Sequence, residues 1–193
     1  TLEICHIIKR NHDCKIVLGG PEVAYRPKDI LEKYEWPTKF GCIIGNPPYG
    51  ETKKKDHRAR EISNLCVPFI RHGMELSDSP SVMCIIVPLS ICYNSKTGYR
   101  SLRASIMEDS GSWSIACYDR SPDALFGDDV KTRNAILCRT KDLGGKGIYT
   151  TQMMRWSSIN RRTLFSSCNY QDIGELSIEE YIPKLGAPVE LDA

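Results

Sequence analysis

Short, nearly continuous apolar runs separated by helical patterns restrict this chain more than any other feature. Lys15-Ile-Val-Leu18, Phe40-Gly-Cys-Ile-Ile44, Val82-Met-Cys-Ile-Ile-Val87 and Trp113-Ser-Ile-Ala-Cys-Tyr118 each have the length of one strand. A strand that is apolar at successive positions has to be covered on both faces, which is the environment of a parallel sheet flanked by helices. The intervening segments supply those helices. Residues 1–10 have a mixed helical pattern, Pro27–Lys33 begins with Pro, and apolar positions 62, 65, 66, 69, 70 and 74 follow helical spacing, with Pro68 expected to kink or delay that helix. Tyr99–Met107 is a further helix. The expected fold is therefore α/β with a mainly parallel sheet. Asn134–Cys138 and Ile148–Thr151 are separated only by the stretch holding Gly144-Gly-Lys-Gly147 and are expected to pair as an antiparallel hairpin.

Composition excludes other classes. In 193 residues, 41% hydrophobic and 26% charged side chains suit a globular chain and not a disordered or fibrous one. The longest apolar run, Cys84–Tyr93, is about half of the roughly 20 residues a transmembrane helix needs, so no membrane partner is expected. Thr1–His6 has neither an initiating Met nor the plan of a secretory signal, and the chain is expected to start inside a larger gene product. The nine cysteines are odd in number, several lie inside apolar runs, and none forms a Cys-x-x-Cys pair. They are expected to be reduced core thiols of a cytoplasmic protein, with no metal.

The net charge of +2 hides an uneven distribution. Residues 171–193 hold six acids against Lys184, a net of −5, which leaves +7 for residues 1–170. Basic clusters occur at Lys53, Lys54, Lys55, Arg58 and Arg60, at Lys131 and Arg133, and at Arg155, Arg161 and Arg162. They are either a solvated face or contacts for a polyanion. Trp156, between two of these arginines, suits base stacking or core packing equally well.

Directly after the strand 40–44 stands Gly45-Asn46-Pro47-Pro48-Tyr49-Gly50. Two prolines stiffen the backbone and bias Asn46 away from the helical region, so the tetrapeptide is expected to form a rigid turn at the carboxyl end of a strand, where open α/β sheets bind ligands. The residue types suit one chemistry. The exocyclic amine of adenine or cytosine is a poor nucleophile because its lone pair is delocalised into the ring. The Asn46 side-chain oxygen and the Pro47 carbonyl can accept its two hydrogens and favour a pyramidal nitrogen able to attack a methyl donor. Tyr49 offers an aromatic face to a base withdrawn from the duplex.

These residues resemble the catalytic signature Asn/Asp-Pro-Pro-Tyr/Phe of the N6-adenine-specific DNA methyltransferases of restriction-modification and related phage-defence systems. The likeness continues in order through Asn64–Phe69, Ile85-Ile-Val-Pro-Leu-Ser90, the Asp123–Arg133 loop with Ile136-Leu137, and Tyr149-Thr-Thr with Arg155-Trp156 and Arg161, covering about residues 37–170. The resemblance implies a partial Rossmann-like methyltransferase domain acting on double-stranded DNA with S-adenosylmethionine as methyl donor. Catalysis would fall to Asn46, Pro47, Pro48 and Tyr49, with Pro88, Leu89 and Ser90 lining the pocket and residues 128–133 near the substrate. DNA contact would fall to Lys53, Lys54, Lys55, Lys131, Arg133, Arg155 and Arg161.

Gly41 and Cys42 stand where the family usually has Asp, and no Gly-rich turn with an acidic ribose ligand precedes Phe40. The cofactor residues are thus not identified. Further domains or a partner are expected to supply the cofactor and recognition sites, and the alternative is a non-catalytic DNA-binding or complementing fragment. Lys15–Pro27, with Gly19-Gly20, resembles the late strand and turn of a cobalamin-binding domain without its Asp-x-His-x-x-Gly ligand motif. The expected organisation is an αβ unit over residues 1–36, the catalytic-motif region over 37–170, and an acidic segment over 171–193 that leads towards a further domain.

Overall fold

A computed structural model describes residues 39–49, 64–124, 132–155, 157–160, 162–164, 166 and 168–185. Six strands, β1 (Phe40–Gly45), β2 (Ser77–Pro88), β3 (Ser112–Tyr118), β4 (Asn134–Lys141), β5 (Gly147–Met154) and β6 (Gln171–Asp172), form one sheet in the order β1-β2-β4-β3-β5-β6. Strand β1 is parallel to β2 and β3 is parallel to β5, while β4 lies antiparallel between β2 and β3. Four strands, β1, β2, β3 and β5, therefore run in one direction. The expected strands at 15–18 and the helices at 1–10 and 27–33 lie outside the described residues.

Helices α1 (Cys66–Leu76) and α2 (Thr97–Glu108) cover one face. Cys66, Val67, Ile70 and Gly73 form the buried stripe of α1, and Tyr99, Leu102, Arg103 and Ile106 that of α2, the i, i+3 or i+4, i+7 spacing of one helical face. Pro68 is the third residue of α1, in the first turn, where its missing N–H has no intrahelical acceptor to lose. The helix begins at Cys66, past Ile62, where its apolar pattern starts. Along β2 the buried positions Met83, Ile85 and Val87 face the helices, joined in one core with Trp113, Ile115 and Leu137. On the opposite face Ala116, Tyr118 and Leu164 form a smaller cluster. An added Cβ at Gly111 would fall 2.8 Å from the Thr140 carbonyl, so only Gly permits the approach of β3 to β4 there.

The expected hairpin is corrected. β4 and β5 are not neighbours: Ser112 at the start of β3 pairs with Thr140 on one side and Gly147 on the other, so residues 142–146 cross over the end of β3. Both β4 and β5 are satisfied by β3, whose two edges are buried in the sheet. The acidic segment packs on the same core through residue 185, with Ile173, Ile178, Ile182 and Leu185 buried. Arg103, fully buried, holds it there by donating to the carbonyls of Glu179 and Glu180 as well as those of Ile91 and Asn94.

Candidate active site

The turn 46–49 leaves β1 at its carboxyl end, next to the carboxyl half of parallel β2, where Gly45 is in register with Ile85. Pro47 is buried, Pro48 half-buried, and Asn46 exposed. The Tyr49 hydroxyl stands between two acceptors, Asn46 Oδ1, to which it donates, and the Ile86 carbonyl of β2 at 3.0 Å, which sets the turn beside the neighbouring strand. Burial, reinforced by the nearby Cys66 thiol, pushes the Tyr49 hydroxyl up to about 12, so it remains a donor at any ordinary pH. Asn46 Oδ1 retains a second lone pair for a ligand hydrogen. Tyr49 is still 38% exposed, so its ring is open to a stacking partner.

Pro88, Leu89 and Ser90 follow at the end of β2. Pro88 and Leu89 are buried and Leu89 belongs to the core, whereas Ser90 is half-buried. Tyr93, one residue beyond the 3-10 turn Leu89–Cys92, is 56% exposed.

Arg133 and Arg155 belong to this same edge. Arg133 immediately precedes antiparallel β4, its carbonyl accepting the Leu89 N–H at 2.8 Å, and Arg155 immediately follows β5. Both reach one carboxylate, that of Asp119 just beyond β3: Arg133 Nε to Oδ1 at 2.8 Å and Arg155 Nε to Oδ2 at 3.3 Å. Hydrogen bonds from Arg133 and from the Arg120 backbone hold the Asp119 carboxyl below the usual carboxylate range. Lys53, Lys54, Lys55, Lys131, Arg161 and Trp156 lie outside the described residues. Sequence reasoning missed Asp119 and Tyr93. The available signal was position: Asp119 ends an apolar strand that runs parallel to β1, so it had to emerge at the ligand-binding edge.

Among the described residues no glycine turn leads from a strand into a helix; Gly144, Gly145 and Gly147 lead into β5. Among the described residues, no group of three His, Cys, Asp or Glu side chains is placed to hold a metal, and no helix is long and apolar enough to cross a membrane.

A parallel-rich α/β sheet with a proline-locked, amide-bearing turn at its carboxyl edge defines the class of protein. The family model of the Eco57I restriction-modification methylase matches residues 9–122, more than half the chain, and the chain belongs to that family. This match runs through residues 15–27, and nothing in the comparisons supports the cobalamin resemblance there. No curated protein matches. Among solved structures, the chain is similar to a DrdV–DNA complex, with 13% identity, a TM-score of 0.57, and coverage of 74% of this chain and 18% of that one. A nuclease-deletion mutant of the Type ISP restriction-modification enzyme LlaGI, in complex with a DNA substrate mimic, gives 16% identity, a TM-score of 0.56, and coverage of 84% and 19%. A type I restriction-modification methyltransferase subunit from Streptococcus thermophilus gives 12%, 0.51, and coverage of 72% and 34%. These likenesses show the fold, a partial Rossmann-like methyltransferase sheet. The chain spans 18% to 34% of the length of these three structures.

Proposed function

We propose that this chain carries the acceptor-side residues of a DNA methyltransferase that moves a methyl group to the N6 amine of adenine. The observation that carries this reading is the Tyr49 hydroxyl bonded to Asn46 Oδ1 in a turn fixed by Pro47 and Pro48. S-adenosylmethionine, when bound, supplies an already activated methyl group, so the protein's work is positioning. Asn46 Oδ1 and the Pro47 carbonyl accept the two amine hydrogens and direct the nitrogen lone pair outward. The exposed Asn46 leaves water access to the proton released after transfer. Tyr49 stacks on the extruded adenine. Duplex DNA is the partner, contacted through Arg133 and Arg155 and through Lys53, Lys54, Lys55, Lys131 and Arg161, while the donor and base-recognition sites come from further domains or another subunit.

The test is methyl transfer to duplex DNA by the complete enzyme containing this chain, followed by nucleoside analysis. N6-methyladenine is the expected product, and Asn46→Ala should lower its rate by about a hundred- to a thousandfold, the usual loss when a preorganised hydrogen-bonding group is deleted. The melting temperature should hardly change, because both prolines still define the turn. Methylcytosine as the sole product, or a parental rate for Asn46→Ala, refutes the assignment.

A further inference from the structure

We propose that Asp119 is a positioning residue that presents Arg133 and Arg155 as a two-armed clamp for a DNA phosphate beside the Asn46–Tyr49 turn, an inference that rests on DNA being the substrate. Two guanidinium groups repel one another and, left alone on a surface, spread apart. Here one carboxylate, only 5% exposed, holds both through their Nε atoms. The carboxylate is itself fixed: Oδ1 also accepts the Arg120 N–H at 2.8 Å, and the Asp119 N–H donates to the Met154 carbonyl at 2.8 Å.

The arginines remain open on their other side. The Arg133 side chain is 50% exposed and that of Arg155 76%, and among the described residues neither makes a hydrogen bond through its Nη atoms. The triad thus has a net charge of +1 and four terminal amino groups. That arrangement matches the forked donor geometry with which arginine grips phosphate oxygens. Its place fits a phosphate close to the reacting base, because the Arg133 carbonyl bonds the Leu89 amide, next to Pro88 at the end of β2, the strand whose Ile86 carbonyl faces Tyr49. Holding the arms in advance removes rotamer freedom that free arginines would lose on binding.

The sign of one substitution separates this from simple neutralisation. If Asp119 merely competes with DNA for the arginines, Asp119→Asn adds positive charge and tightens binding. If it organises them, binding weakens although the surface has become more basic. Fluorescence-anisotropy titration of the full chain with a labelled adenine-containing duplex, repeated over a range of salt, measures this. We expect Asp119→Asn to raise Kd on the order of tenfold. Arg133→Gln and Arg155→Gln should each weaken binding, their combined effect should be less than the product of the two, and the log-log salt slope of the double variant should flatten by about 0.9 for the phosphate no longer neutralised. The two arginine side chains are exposed, so their cycle decides the matter even if Asp119→Asn fails to fold. Tighter binding by Asp119→Asn, or arginine effects that multiply independently, overturns the clamp. A parental chain that binds duplex DNA beside unaffected variants refutes the clamp alone, whereas a parental chain that binds none refutes the DNA reading with it.

Discussion

The proposed function gives Tyr49 two separable duties, and two substitutions divide them. Its ring would be the stacking surface, while its hydroxyl donates to Asn46 Oδ1 beside the Ile86 carbonyl. Tyr49→Ala should weaken capture of the extruded base by about 1–3 kcal/mol, read as a higher KM for DNA. Tyr49→Phe keeps the ring and frees the Asn46 amide to turn, so its loss should appear in kcat with KM nearly unchanged. The hydroxyl also leaves a signature in stability. Its folded value of about 12 is raised above the ordinary 10, so the stabilisation is fully present below pH 10 and is lost as pH rises towards 12. Tyr99, Tyr118 and Tyr170 are raised as well, chiefly by burial, and share that alkaline slope. Denaturant titrations of parent and Tyr49→Phe between pH 9 and 12 isolate the Tyr49 share, and identical slopes would remove it.

The start of β3 is fixed by a buried knot that no single element explains. Arg139 of β4 makes two bonds to Asp109 after α2, at 2.6 and 2.7 Å, and the Trp113 indole N–H donates to the same carboxylate at 2.8 Å. Burial pushes the Asp109 carboxyl up, but the Arg139 and Trp113 hydrogen bonds outweigh this and hold it below its ordinary value. Its stabilising effect is therefore present above the unfolded value of about 4 and is lost as pH falls below it. Arg139→Met leaves a nearly buried carboxylate unpaired and should cost about 3–5 kcal/mol in urea unfolding near pH 7, with a smaller loss near pH 3, where Asp109 is protonated on unfolding. A loss that is equal at both pH values would mean packing, not charge, is what Arg139 supplies. This knot was not legible in the sequence, whereas strands 40–44, 82–87 and 113–118 were, because each is a short, mostly apolar run; the burial expected on both faces does not hold for β1, where Cys42 is exposed and Ile44 is 65% exposed. Which edge a strand takes is set by partners far along the chain. Gly144–Gly147 therefore suggested a local hairpin, although β3 occupies the place between β4 and β5. The Asn46–Tyr49 turn was legible because its chemistry is local. The pairing of Asp119 with its arginines was not, since they stand 14 and 36 residues away.

At the scale of the whole molecule, the proposed function separates the acceptor-side residues of a methyltransferase from its donor-side residues. The described sheet has the Asn46–Tyr49 turn, the Pro88–Ser90 end of β2 and the Asp119 arginines along one edge, and its glycine-bearing connection at 142–147 opens into a strand, not a helix. A dinucleotide-like ligand is ordinarily gripped where a Gly-rich turn opens into a helix N-terminus, with an acid for the ribose hydroxyls. The Gly19-Gly20 and Gly45–Gly50 sequences have neither the G-x-G-x-x-G spacing nor that acid at the expected distance. Isothermal titration of the 193-residue chain with S-adenosylmethionine should thus show no saturable heat at micromolar ligand. Duplex DNA, which in the proposed function depends on the opposite set of residues, should still bind with a steep salt dependence. The pairing of the two titrations matters, because a misfolded chain would fail both. A micromolar dissociation constant for the donor would put its site on this chain and end the division into acceptor-side and donor-side pieces, leaving the Asn46 assignment to be judged by methyl transfer alone.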